Sequence, residues 1–126
     1  MNIPENLYYT KDHEWIKVNG SEGLVGVTDF AQHQLGDIVF IEVNTVGDIL
    51  DLGATFGTIE AVKTVSDMFM PVSGEILEFN ENLADKPELV NTDPYGEGWI
   101  VKVRLTDVVQ SGSLLTTSQY KELVDA

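Results

Sequence analysis

The segment that most limits how this chain can fold runs from Gly57 to Gly74, with one lysine, Lys63, near its middle. Before Lys63 the residues alternate along the chain and are rich in strand formers. After it, a second apolar stretch ends in the turn signal Pro-Val-Ser-Gly. The pattern predicts a hairpin around residues 56–70, formed by two short strands with Lys63 at or beside the tip.

Lys63 has two interpretations. It is the only Lys or Arg between Lys17 and Lys86, and Glu60 and Asp67 flank it. A lysine at an exposed turn can simply be solvated and limit edge-to-edge pairing of strands. Alternatively, its amine is an attachment point, because a primary amine on a flexible four-carbon stem is a common target of acylation. A hairpin tip would hold it within reach of a modifying enzyme, and acylation would remove its charge.

The rest of the chain reads as many short strands separated by Gly-rich turns. This arrangement predicts an all-β sandwich or flattened barrel with short peripheral helices. Outside the Lys63 hairpin, strands are expected at residues 14–18, 23–27, 38–43, 74–79 and 99–105. In the third of these, Val39, Ile41 and Val43 are expected on one face, and Ile38 and Phe40 on the other.

Turns and helices are expected between these strands. Asn19-Gly20 is a strong hairpin signal, which Ser21-Glu22 should lengthen into a longer loop. Residues 29–35 should form a helix that begins after Thr28 as its N-cap and stops at Gly36. Residues 80–91 are polar and should be mostly loop, with one helical turn at 87–89. Residues 111–113 should interrupt the regular secondary structure before a C-terminal helix at about 116–124.

Composition excludes several classes of function. The chain has 126 residues, which predicts a single domain, 1–126. It carries 21 acidic and 7 basic residues, a net charge of −14, which argues against binding of nucleic acid or anionic membranes. There is no cysteine, no apolar run near the ~20 residues of a membrane span, and no targeting character in the first ten residues. A cytoplasmic protein is expected.

The residues that could support independent chemistry are few. His13 and His33 are the only histidines, and together with Asp12 and Glu14 they are the residues to weigh for a metal site. The HExxH and HxxEH patterns are absent, so no metal site and no catalytic residues are assigned. A small acid-base enzyme that uses Glu14 and His33 stays open as an alternative from another class.

Five blocks of sequence carry a resemblance to a known family. They are IEAVKTVSD at 59–67, PVSGEI at 71–76, HEW at 13–15, LGDIV at 35–39 and NTDPYGEGW at 91–99. Together they resemble the H protein of the glycine cleavage system, and the first two resemble its lipoyl-lysine segment. The blocks stand in the family's order and cover nearly the whole chain. Departures are small, such as Ala61 where the family often has Ser.

The resemblance implies a fold and a function. The fold would be a barrel-sandwich hybrid of the lipoyl/biotinyl-carrier type, a single lipoyl-carrier domain. Lys63 would hold lipoate in amide linkage, added by lipoate-attaching enzymes. The arm would take an aminomethyl group from glycine decarboxylase, a pyridoxal phosphate enzyme, to a tetrahydrofolate-dependent aminomethyltransferase. Dihydrolipoyl dehydrogenase would then reoxidise it.

In this picture the chain is a carrier subunit and not itself an enzyme. Glu14 and Asp67 would border a cleft in which the loaded arm rests, where a carboxylate would stabilise its ammonium group. Apolar walls of that cleft would keep water from releasing the group early. An alternative within the carriers is a lipoyl donor in a protein lipoylation relay.

Overall fold

The computed structural model describes residues 1–106 and 114–125, and these residues form short antiparallel strands with short helices at the periphery. The strands are β1 Tyr8–Tyr9, β2 Glu14–Asn19, β3 Glu22–Val27, β4 Ile38–Glu42, β5 Ile49–Leu50, β6 Thr55–Ala61, β7 Val65–Phe69, β8 Gly74–Phe79 and β9 Val101–Leu105. The helices are α1 Asp29–Leu35, α2 Asn82–Asp85, α3 Leu89–Thr92 and α4 Thr117–Asp125. The interruption of secondary structure expected at 111–113 lies outside the described residues.

The strands belong to two sheets. The larger has the order β1-β2-β3-β9-β8-β5, and the smaller has the order β4-β6-β7. Side chains from both sheets meet in one core cluster, including Ile16 and Val103 from the larger sheet and Ile41 and Ile59 from the smaller. The expected all-β class with short peripheral helices is confirmed. The smaller sheet contains the Lys63 hairpin, β6 and β7.

Helix α1 has the predicted boundaries, and its end residues explain them. The Thr28 side chain accepts a hydrogen bond from the amide of Ala31 and so caps the first turn. At the other end Gly36 has φ +81°, a conformation that glycine adopts without strain, and its N–H donates to the carbonyl of Gln32. The helix therefore stops at Gly36, and β4 begins two residues later.

The expected lengthening of the first hairpin loop is wrong. Asn19 pairs directly with Glu22, so only Gly20 and Ser21 form the loop. Gly20 has φ +66°, and a positive φ is what tight two-residue hairpin turns demand. Strand β3 accordingly begins at Glu22 and not at Gly23.

The expected alternation of faces along β4 is also wrong. Ile38 and Ile41 are buried, whereas Val39 and Phe40 are both exposed. The register of β4 against β6 shifts between Ile38 and Phe40. A bulge of this kind adds one residue to a strand, so the two-residue period is interrupted and both neighbours face solvent.

Residues 80–91 contain more helix than expected. Helices α2 and α3, of four residues each, bring Leu83 and Val90 into the core. Each is a single turn with one fully buried residue, too short to produce a helical period in the sequence. Strand β9 begins at Val101, two residues later than expected.

The C-terminal helix α4 is anchored by one buried aromatic residue. The ring of Tyr120 stacks on Tyr9 with ring centroids 4.6 Å apart. Its hydroxyl lies 2.7 Å from Oγ1 of Thr28, the cap of α1. Within residues 1–106 and 114–125, no helix is long and apolar enough to cross a membrane.

Candidate functional site

Lys63 lies at the tip of the β6–β7 hairpin. The last paired residues of the two strands are Glu60 and Val65. The amide of Ala61 donates to the carbonyl of Thr64 at 2.7 Å, which closes the turn tightly around Val62 and Lys63. Both residues at the tip are exposed. The side chain of Lys63 is therefore presented to solvent by a short turn with its own hydrogen bond.

The turn rests on the junction between α1 and β4. The amide of Val62 donates to the carbonyl of Asp37 at 3.1 Å. The lysine stem runs over Gly36, since Cε of Lys63 is 3.5 Å from the point where a β-carbon on Gly36 would lie. The glycine that ends α1 therefore lies beneath the lysine stem, at the distance of an ordinary van der Waals contact.

Asn91, at the end of α3, holds this junction from the other side. Its Nδ2 donates to the carbonyl of Gly36 at 2.9 Å and to Oε1 of Gln32 at 3.0 Å. Its Oδ1 accepts from the amide of Ile38 at 2.9 Å. One side chain therefore bonds the backbone on both sides of Asp37, the residue whose carbonyl receives the lysine turn.

Among the residues that the structure describes, no carboxylate forms an ion pair with the amine of Lys63. The ion pairs within the described part of the chain are His33–Asp29, Lys102–Glu78 and Arg104–Glu75. Acylation of Lys63 would remove its charge without breaking any of these pairs.

Glu14, in contrast, is a buried carboxyl group. Its side chain is only 2% exposed. Oε2 accepts a hydrogen bond from the amide of Phe69 at 2.9 Å, and Oε1 accepts one from Oγ1 of Thr10 at 3.0 Å. Burial raises the pKa of Glu14 to about 7; these two hydrogen bonds oppose the rise, and the charge of Asp12 adds to it. Near neutral pH the group therefore exists in both protonation states.

Glu14 lines a groove at the base of the hairpin. The groove has a volume of about 200 Å³ and is lined by Thr10, Lys11, Asp12, Glu14, Leu52, Gly53, Met70, Pro71, Leu114 and Leu115. Its walls are largely apolar, and Glu14 is the buried carboxyl among them. Larger concavities of about 270 and 570 Å³ lie elsewhere on the surface and include none of the expected site residues.

Asp67 lies between the two ends of the hairpin and is exposed. It pairs with Thr58 across the sheet and is not part of the groove lining. Phe69, whose amide bonds Glu14, is two residues further along β7, a rise of roughly 7 Å. From Val65 beside the tip to Phe69 at the base the rise is about 13 Å. Strand β7 thus connects the lysine turn, Asp67 and the Glu14 groove in that order.

The two histidines are not partners of Glu14. Nδ1 of His13 lies 2.8 Å from the hydroxyl of Tyr120, and burial lowers the pKa of His13. His33 is exposed and pairs with Asp29 at 3.5 Å. The hydrogen bonds of Glu14 go to Thr10 and Phe69 instead. Among the described residues there is no group of three or more His, Cys, Asp or Glu that could hold a metal ion.

Sequence reasoning missed two residues of this site. Thr10 bonds the carboxyl of Glu14, and Asn91 bonds the junction beneath Lys63. Asn91 belongs to a resembling block, but its partners lie more than 50 residues away along the chain. Neither residue stands in a motif that would have indicated its partner.

Comparison with known proteins gives a consistent result. The family model described as "Glycine cleavage H-protein" matches residues 7–126. The chain is 57% identical, over 99% of both chains, to the glycine cleavage system H protein of Bacteroides thetaiotaomicron. It is 56% identical to that of Chlorobium limicola over 98% of both. The crystal structure of a glycine cleavage system H protein from Mycobacterium marinum is similar with a TM-score of 0.89 and 41% identity, covering 98% of this chain and 100% of that one.

Proposed function

The chain belongs to the glycine cleavage H-protein family, and from that premise we propose that it is the lipoyl carrier of a glycine cleavage system. Lipoate would be joined by an amide bond to Lys63. The observation that carries the proposal is the exposed position of Lys63 at a tight hairpin tip, with its amine outside any ion pair of the described residues.

The chain itself would act as a carrier subunit. Attached lipoate supplies a disulfide that can accept a one-carbon amine fragment and be regenerated by oxidation. The partners would be glycine decarboxylase, the aminomethyltransferase, dihydrolipoyl dehydrogenase and an enzyme that attaches lipoate. The protein contributes presentation of the arm at the tip and protection at the base of the hairpin.

Glu14 and Asp67 would hold the amine that the arm carries. An ammonium group beside Glu14 favours the ionised carboxyl, so its pKa of about 7 in the free protein would fall when the amine arrives. The hydrogen bond from the amide of Phe69 would fix the carboxylate in place. The apolar lining of the groove would limit access of water to the carried group. Asp67 lies on the path along β7 that connects the tip with this groove.

The test of Lys63 is peptide mass mapping of protein made in a cell that supplies lipoate. We expect one lipoyl group, on Lys63. Lys63→Arg should lose both lipoate and carrier activity while its melting temperature stays the same, because an exposed turn residue contributes little to packing.

Lys86→Arg is the matched control, since Lys86 is also an exposed lysine, outside the hairpin. It should keep lipoate and activity. Lipoate on another lysine, or full carrier activity of Lys63→Arg, would contradict the proposal.

A further inference from the structure

The outer face of the β4-β6-β7 sheet carries a row with two exposed apolar side chains that ends beside Lys63. Phe40 pairs with Glu60, and Glu60 pairs with Val65, so their side chains lie in one row on the same face. Phe40 is 50% exposed and Val65 is 60% exposed. Val62, in the turn itself, is 75% exposed. We call this set, Phe40, Glu60, Val62 and Val65, the tip face.

The tip face is more than a scatter of surface hydrophobics. Isolated exposed apolar residues are ordinary, but a contiguous group marks an interaction site more often. Phe40 faces outward because the bulge in β4 interrupts the alternation. Val39, its neighbour at the bulge, is exposed as well. The irregularity in β4 therefore adds apolar surface to this side of the sheet.

Acidic residues border the tip face. Glu60 stands within the row, and the next row on the same face consists of Glu42, Thr58 and Asp67. Lys63 is the only basic residue between Lys17 and Lys86. The face thus has apolar side chains, Phe40 and Val65, on either side of the central Glu60, a second acidic row beside it, and Lys63 at the adjoining turn.

We propose that the tip face is the surface on which the enzyme that acylates Lys63 docks, and that this enzyme presents apolar contacts to Phe40, Val62 and Val65 and a Lys or Arg opposite Glu60. The proposal rests on the function proposed above. Before acylation the amine extends only by its four-carbon stem, so the active site must come up to the turn and cover Val62 and Val65. Enzymes that act on the longer acylated arm can stay further away.

The experiment measures lipoate attachment to the unmodified protein by a lipoate–protein ligase supplied with lipoate and ATP. Phe40→Ser and Val65→Ser should each raise KM for the carrier by on the order of fivefold or more. The value of kcat should change little, because each substitution removes a docking contact and leaves the reacting amine of Lys63 in place. Phe40→Leu keeps an apolar contact and should stay near wild type.

Ile49→Ser is the matched control. Ile49 is a β-branched strand residue, 71% exposed, on β5 of the other sheet. It should leave KM unchanged. Circular dichroism confirms that each variant is folded, and Phe40→Ala and Val65→Ala replace any serine variant that is not, with smaller rises in KM expected.

The outcomes separate the docking proposal from the function it rests on. If wild type accepts lipoate on Lys63 but the tip-face variants keep its KM, the docking proposal is overturned. It is also overturned if Ile49→Ser raises KM equally. If wild type accepts no lipoate on Lys63, the proposed function itself fails.

Discussion

At the scale of single residues, Glu14 is the unusual group of this molecule. Most buried carboxyl groups are paired with a cation, because an isolated buried charge is costly. Within the described part of the chain, the carboxyl of Glu14 accepts hydrogen bonds from two neutral donors, the amide of Phe69 and the hydroxyl of Thr10. They do not fully offset its burial, so its pKa rises to about 7. The protein therefore keeps a carboxyl whose charge depends on whether a cation is nearby.

The raised pKa of Glu14 makes stability depend on pH. Its pKa is about 7 in the folded protein and 4.5 when unperturbed, so the folded state binds the extra proton between these values. The stabilisation of the folded state by this proton is fully present below pH 4.5 and is lost as the pH rises through 7. The free energy of unfolding of Glu14→Gln minus that of wild type should therefore increase by roughly 3 kcal/mol as the pH is raised from 4 to 8. Urea unfolding of both proteins at several pH values tests this, and a constant difference would contradict it.

Glu14→Gln should also shorten the life of the carried amine. The substitution keeps the shape and an acceptor oxygen but removes the negative charge. A charge-assisted hydrogen bond is worth on the order of 1.5–3 kcal/mol, so spontaneous loss should be about tenfold or more faster. Mass spectrometry of the loaded carrier without partner enzymes measures the decay. Attachment of lipoate to Lys63 should be unchanged; equal decay in both proteins would shift the role to Asp67.

At the scale of elements, the Lys63 hairpin is held by contacts outside its own strands. Strand pairing alone determines that a turn follows Ala61 and precedes Val65. The bond from Val62 to Asp37 sets the angle at which that turn lies on the body. Asn91 in turn holds Asp37 through its bonds to Gly36 and Ile38. A helical turn nearly thirty residues after Lys63 therefore supports the turn that presents it.

Asn91→Ala should loosen this support. It removes the hydrogen bonds of Asn91 to Gly36 and Ile38 and leaves the amide of Ile38 without its acceptor, at a cost of about 1–3 kcal/mol. We expect faster hydrogen exchange at the amide of Val62, beyond what the change in global stability explains.

Asn80→Ala is the control for this exchange measurement. Asn80 is buried and donates to the carbonyls of Glu97 and Trp99, so it is also a structural amide. Its loss should lower stability without a specific effect at Val62. If hydrogen exchange at the amide of Val62 is equally accelerated in both variants, after correction for the change in global stability, Asn91 does not position the turn.

At the scale of the whole molecule, charge is the dominant property. The net charge is −14, and a charge of this size attracts positively charged partners over distances near the Debye length, about 10 Å at 0.1 M salt. Association with such partners should therefore be steered electrostatically. Generic solubility would not produce such steering.

Salt dependence separates these two roles of the charge. Association rates with the lipoate-attaching enzyme and with each proposed enzyme of the system should be measured from low to high salt. For at least some partners we expect the rate to fall by tenfold or more as salt rises. A flat response with every partner would mean that the acidity serves solubility alone.

Several features followed from the sequence because they depend on neighbours along the chain. The alternation before Lys63, and the apolar stretch with its turn signal after it, predicted the two strands, and Thr28 and Gly36 predicted the ends of α1. Capping and strand alternation are local effects, which involve residues a few positions apart. The position of Lys63 at a turn between two strands could be predicted for the same reason.

Other features were decided only by the tertiary structure. The bulge that exposes Phe40 arises from the register of β4 against β6, and the single-turn helices α2 and α3 form where Leu83 and Val90 enter the core. The burial of Glu14 and its bond to Phe69 join residues 55 positions apart. Desolvation depends on everything packed around a group, so no local pattern can report it. The sequence therefore determined which lysine stands at the hairpin tip, and the packing determined the groove and the raised pKa of the carboxyl within it.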